Sequence, residues 1–168
     1  MKFNITLIFL VFNISLFSQS EFKLSSNEDI SNFKIGSNIF DLMSRFEISF
    51  GDEQMEQVTD QLKKLDKIIA YSSESKLGSS NIEDSFEAYI LSSDLMQLIE
   101  FKEKDYKVDI YVLENEDSII EELSMLVKNS NSYTTIYLQI RGEIDLEQIA
   151  NVASELNVPG GDFLNKLN

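Results

Sequence analysis

The 168 residues include neither cysteine nor histidine, which excludes disulfides, thiolate nucleophiles, Ser-His-Asp triads and imidazole or thiolate zinc sites. The formal net charge is −15, from 29 Asp and Glu against 14 Lys and Arg. The cations are scattered among acids, so nucleic-acid phosphates and anionic membrane surfaces meet no clustered basic face. Hydrophobic residues make up 43% and Pro occurs once, which excludes disorder throughout and fits one domain with its own core.

Lys2 precedes an almost wholly apolar run over 3–17, broken only by Asn4, Thr6, Asn13 and Ser15. The pattern predicts a secretory signal over 1–18, cut after Ser18 or one or two residues later. The run is too short for a membrane span, which needs roughly 20 apolar residues, and no later run is long enough. A lipidated exported protein needs a cysteine at its new N-terminus, and there is none. The expected product is periplasmic or extracellular, with no lipid anchor and no transmembrane segment. Residues 19–36 read as a flexible N-terminal arm, because Ser25, Ser26, Asn27, Glu28 and Asp29 stand in a row. Residues 37–168 read as a single domain.

Ser37 offers an N-cap, and Ile39, Phe40, Met43 and Phe46 follow at helical spacing up to Gly51. Asp52 caps a second predicted helix, with Met55, Val58, Leu62 and Leu65 in one apolar stripe. Ile68, Ile69 and Tyr71 predict a short strand over 67–72, and 73–80 reads as a loop. A long helix is predicted over 81–96, with Ile82, Phe86, Tyr89, Ile90 and Met96 on its inner side.

The period then becomes two. Strands are predicted over 98–103, 107–114, 119–127 and 134–141, with polar turns between them. Val108, Ile110 and Val112 share one face, as do Leu123, Met125 and Val127, and Ile136, Leu138 and Ile140. Gly142 is expected to break the last strand, and Asp145 to cap a closing helix carrying Leu146, Ile149, Ala153 and Leu156. The fold class is α+β: a mixed, mainly antiparallel sheet of about five strands with helices packed on one face. The strand at 67–72 and the one at 98–103 are candidates for a parallel pair joined by a crossover.

Several of these stretches carry a resemblance. The chain resembles the domain-of-unknown-function 4252 family of exported bacterial proteins. The resemblance rests on Ile39-Phe40-Asp41-Leu42-Met43, the Leu95-Met96 pair, Val108-Asp109-Ile110-Tyr111, and Gly142-Glu143-Ile144-Asp145-Leu146 with Ile149 after it. It implies a location in the envelope of a Bacteroidetes-type bacterium, and it implies no activity and no functional residues. Many such proteins look like lipoproteins, from which this chain departs by lacking cysteine.

Chemistry is left to carboxylates, Tyr, Lys and Ser. Glu83, Asp84 and Glu87 stand near the start of the long helix, where the macrodipole favours acids. Glu114, Glu116 and Asp117 stand in a hairpin, where turn geometry favours Asn and Asp. Asn115, Glu116 and Asp117 lack the alternating spacing and central Gly of an EF-hand loop. Glu143 and Asp145 already fill the helix start after Gly142, so phosphate is repelled there. No catalytic residue, metal ligand or cofactor is therefore assigned. The candidate binding residues are Tyr111, Tyr137, Gln139 and Arg141, expected to point outward from an open second sheet face. Tyr and Arg commonly anchor interfaces. The expected function is a non-catalytic module that meets another envelope protein. The alternatives are a carboxylate-based hydrolase of envelope or environmental glycans and, more weakly, a cation-binding protein.

Overall fold

The computed structural model describes residues 21–24, 29–38, 60–155 and 157–167. Its centre is a six-stranded sheet of β1 (Ser31–Gly36), β2 (Leu65–Ser73), β3 (Met96–Glu103), β4 (Tyr106–Glu114), β5 (Ile120–Asn129) and β6 (Thr135–Ile144). Helix α1 (Lys76–Ser92) lies between β2 and β3, and α2 (Leu146–Glu155) and a 3-10 helix (Gly161–Leu167) follow β6. The spatial order is β1-β2-β6-β5-β4-β3. The predicted helices between Ser37 and Leu65 fall largely outside the described residues; 37–38 and 60–63 are helical.

Alternation in β3 to β6 places the predicted apolar sets together. Val108, Ile110, Leu123, Met125, Leu138 and Ile140 are fully buried in one core with Ile149, Val152 and Leu164 from the closing helices. Burying each such side chain contributes roughly 1.5–3 kcal/mol before entropy is counted. Asp145 caps α2 as expected, its side chain accepting from the Glu147 N–H at 2.9 Å.

The sheet differs from the expectation in three ways. It has six strands, because 31–36, expected as part of the flexible arm, pairs along β2. Phe33 and Ile35 reach the core while Asn32 and Lys34 face the other way, a period-two signal hidden among polar neighbours. It is antiparallel at every pairing, not mixed. β2 and β3 do run in the same direction, but the β4–β5–β6 meander folds back into the gap and three strands separate them. Thirdly, helices cover both faces. Ile82, Phe86 and Tyr89 of α1 pack on Leu126 and Tyr137, on the face opposite α2. Helix α1 also starts earlier than predicted, at Lys76, because Ser75 caps it by accepting from the Gly78 N–H at 3.0 Å, and it ends earlier, at Ser92, so that Met96 opens β3 and is exposed instead of facing inward.

The arm is packed at its other end as well. Phe22 is 8% exposed and stacks on Tyr137 with ring centroids 4.0 Å apart. Tyr89 meets it edge-on at 5.9 Å, and Tyr71 lies tilted against it at 5.7 Å. The short segment 21–24 thus closes the β2 side of the face that α1 covers.

Candidate functional site

The α1 face of the sheet is polar at one end, and that end is organised around one carboxylate. Register places Glu122 of β5 directly opposite Arg141 of β6, and Ser124 opposite Gln139. Tyr89 reaches down from α1. Glu122 Oε1 accepts from the Tyr89 hydroxyl at 2.6 Å, and from Ser124 Oγ and Gln139 Nε2 at 2.8 Å each. Its Oε2 accepts from Arg141 Nε at 2.8 Å. Arg141 Nη2 also donates to the Tyr89 hydroxyl at 3.0 Å. The Tyr137 hydroxyl lies 3.3 Å from Ser124 Oγ. Among the described residues no buried side-chain polar atom lacks a partner, as a polar cluster in low dielectric requires.

A cleft of about 640 Å³ opens above this hub, between the end of α1, the β4–β5 hairpin and the start of β2. Tyr89, Glu122 and Arg141 form its base, and Leu95, Leu113 and Ile119 supply apolar wall. Lys64 and Glu143 stand at one side, joined at 2.6 Å. Both are about half exposed, so the pair contributes little stability. Asn115 shapes the opposite side: its Oδ1 accepts from the N–H groups of Asp117 and Ile119, and its Nδ2 donates to Glu121.

Burial pushes the Tyr89 phenol up to about 12; the Glu122 contact adds to this and Arg141 opposes it. Tyr137 is pushed the same way, chiefly by burial. An unfolded phenol titrates near 10, so in this window the folded state holds protons more tightly. Stability is complete below about pH 10 and is lost as pH rises toward about 12. The expected result is a melting temperature that falls across that window, with a shallower fall in Tyr89→Phe. An unchanged slope in Tyr89→Phe would remove Tyr89 as the cause.

The four residues expected on an open face do share one face, but the face is not open. Tyr137 and Gln139 are 0% and 1% exposed, shut in by α1 and Phe22. Tyr111 is half-buried against Phe86, ring centroids 5.7 Å apart. Arg141 alone of the four lines the cleft. The reason is physical: α1 lays Ile82, Phe86 and Tyr89 over this face, and Tyr137 and Gln139 are buried beneath it.

One member of the acidic cluster on α1 has structural partners. Glu83 accepts from Lys128 Nζ at 3.0 Å and from Thr135 Oγ1 at 3.2 Å. Among the described residues no three acidic side chains are grouped to hold a metal ion, and no helix is long and apolar enough to cross a membrane. Tyr89 and Glu122 are the site residues that sequence reading missed. A signal existed, since pairing the two predicted strands sets Glu122 opposite Arg141, one of only two arginines, an opposite-charge cross-strand pair.

No curated protein and no solved structure matches the chain. A family model does, over residues 22–152, and its description is "Domain of unknown function (DUF4252)". The match starts at the residue whose ring stacks on Tyr137 and runs through the sheet into α2. The chain belongs to the DUF4252 family.

Proposed function

We propose that this chain is an exported, non-catalytic binding module of the cell envelope, released by a signal over 1–18, and that it meets its partner in the cleft above Arg141. The observation that carries the reading is the make-up of the cleft wall, where six carboxylates face two cations. Both cations already hold carboxylates, Lys64 through Glu143 and Arg141 through Glu122. The field inside is therefore negative, and low-dielectric walls focus it. Leu95, Leu113 and Ile119 add apolar surface beside the acids. That combination suits a cationic group on an apolar stem, such as a lysine side chain in an extended segment of another envelope protein.

The test is an NMR titration of the chain from residue 19 onward with a short Lys-Leu peptide and with its Glu-Leu counterpart. Saturable shifts at Asp94, Leu95, Asn115 and Glu121 are expected with the first peptide only, and their loss in Glu114→Lys/Glu121→Lys. Unsaturable shifts spread over the acidic surface would sink the reading.

A glycan hydrolase draws on the same wall, because the cleft gathers carboxylates from several elements. Glu122 does not suit the part of its acid, since both oxygens are committed as acceptors. Of the five others, Glu114 and Glu121 stand on the same β4–β5 hairpin and make the candidate pair. The hydrolase reading requires wild-type chain to release reducing ends from envelope glycans, and Glu114→Gln or Glu121→Gln to stop it. Inert wild-type chain removes it.

A further inference from the structure

Strand β3 is an edge of the sheet: among the described residues it pairs with β4 alone. An edge strand is a template for another strand, and the chemistry of this one selects its occupant. A two-residue turn, Lys104-Asp105, joins β3 to β4, with Lys104 at φ 53 and Glu103 directly opposite Tyr106. Residues flanking such a turn exchange backbone hydrogen bonds, and the pattern alternates from there. Glu103, Phe101 and Ile99 thus aim their N–H and C=O groups at β4. Lys102 and Glu100 aim theirs outward. The pairing is uninterrupted from Ile99 to Glu103, and its irregularity lies between Gln97 and Ile99. The usable edge is therefore a regular stretch whose middle residue is Phe101.

We propose that this edge pairs antiparallel with the same edge of a second copy, about a two-fold axis at Phe101. Outward groups must meet outward groups, so within the regular stretch the axis passes through Glu100, Phe101 or Lys102. An axis at Glu100 sets that carboxylate against its own copy, and an axis at Lys102 does the same with ammonium groups. Like charges directly opposite are unfavourable. The axis at Phe101 sets Glu100 opposite Lys102 twice, each a pair that also exchanges backbone bonds, and sets Phe101 opposite itself. Charge alone selects this register.

The surroundings agree. Residues 96–107 carry Glu100, Glu103 and Asp105 against Lys102, Lys104 and Lys107. This edge is locally neutral on a chain of net charge −15, so a second copy approaches here without the repulsion it meets elsewhere. Glu100 and Lys102 are exposed. Glu100 now reaches Lys107 at 3.2 Å, but Lys107 also has Asp109 at 3.1 Å, so Glu100 is shared without leaving Lys107 bare. The contact is short, and the dimer is weak and concentration-dependent; it joins two sheets into one.

Sedimentation equilibrium of the chain from residue 19 onward tests it, with circular dichroism to confirm folding of every variant. Wild type is expected to dimerise reversibly. Lys102→Glu and Glu100→Lys each turn both charge pairs repulsive and weaken the dimer about tenfold or more. Mixing those two variants restores attraction at both pairs, and the expected product is a heterodimer; the doubly swapped E100K/K102E chain regains the homodimer. A monomeric wild type, a dimer indifferent to the single substitutions, or a mixture that stays monomeric overturns the proposal. Should one charge variant fail to fold, the other single variant and E100K/K102E decide together: the first must lose the dimer and the second must keep it.

Discussion

Glu122→Ala is expected to lower the unfolding free energy by about 3–5 kcal/mol, a large share of the roughly 5–15 kcal/mol that holds a domain folded. The side chain is 5% exposed and Arg141 is 22% exposed. Removing the carboxylate leaves a mostly buried guanidinium without its ion pair, and takes the acceptor away from Tyr89, Ser124 and Gln139. Losing an acceptor in low dielectric costs more than the bond itself contributed, because the donors buried away from the cleft, Ser124 and Gln139, find no water. Urea unfolding followed by circular dichroism measures the loss. A double-mutant cycle with Arg141→Met separates the ion pair from the rest, and a coupling of about 1–3 kcal/mol is expected. Coupling near zero would mean that Arg141 is held by its other contacts, and the hub would need redrawing.

Gly142→Ala is expected to cost about 4 kcal/mol, from backbone strain and overpacking together. Gly142 sits at φ +129, a region that side-chain-bearing residues rarely adopt. A Cβ there would stand 2.3 Å from the Lys64 carbonyl oxygen and 2.6 Å from Leu65 Cα. Both obstacles are backbone, and the segment is clamped: the Glu143 N–H donates to the Lys64 carbonyl at 2.9 Å, and Gln61 Nε2 donates to the Glu143 carbonyl at 2.8 Å. Gly36→Ala is the matching control, because nothing lies within 4 Å of its would-be Cβ; its effect should stay within about 0.5 kcal/mol. Similar melting temperatures for the two variants would refute the clamp. Since Lys64, Gly142 and Glu143 line the cleft, Gly142→Ala should also weaken any ligand bound there.

Gly142 shows where a sequence pattern stops short. A glycine after an alternating run reads as the end of a strand, yet β6 continues through it to Ile144. Pairing shifts on both sides of it, between Leu65 and Lys67 in β2 and between Ile120 and Glu122 in β5. Glycine here admits the close approach of a neighbouring backbone, and only the neighbour's position reveals that. Phe22 is a second case. In a polar stretch it has no periodicity, so nothing local distinguishes a loose ring from one stacked at 4.0 Å on Tyr137. Asp145 is the opposite case: its cap is a local hydrogen bond, and local spacing was enough to find it.

The sequence by itself determined the α+β class, the antiparallel meander of β3 to β6, the inward set from Val108 to Ile140, the cap at Asp145 and the kinship with DUF4252. Each follows from periodicity or short spacing, which arise from the pleat, the helical turn and the reach of a single side chain. Tertiary structure alone decided that α1 covers the second face, that 31–36 is a strand and that Glu122 gathers Tyr89, Gln139 and Arg141 into the base of a cleft. The partners in these contacts lie as far apart in the chain as Tyr89 and Arg141. What brings them together is the packing of α1 across β2, β6, β5 and β4, which no local pattern records.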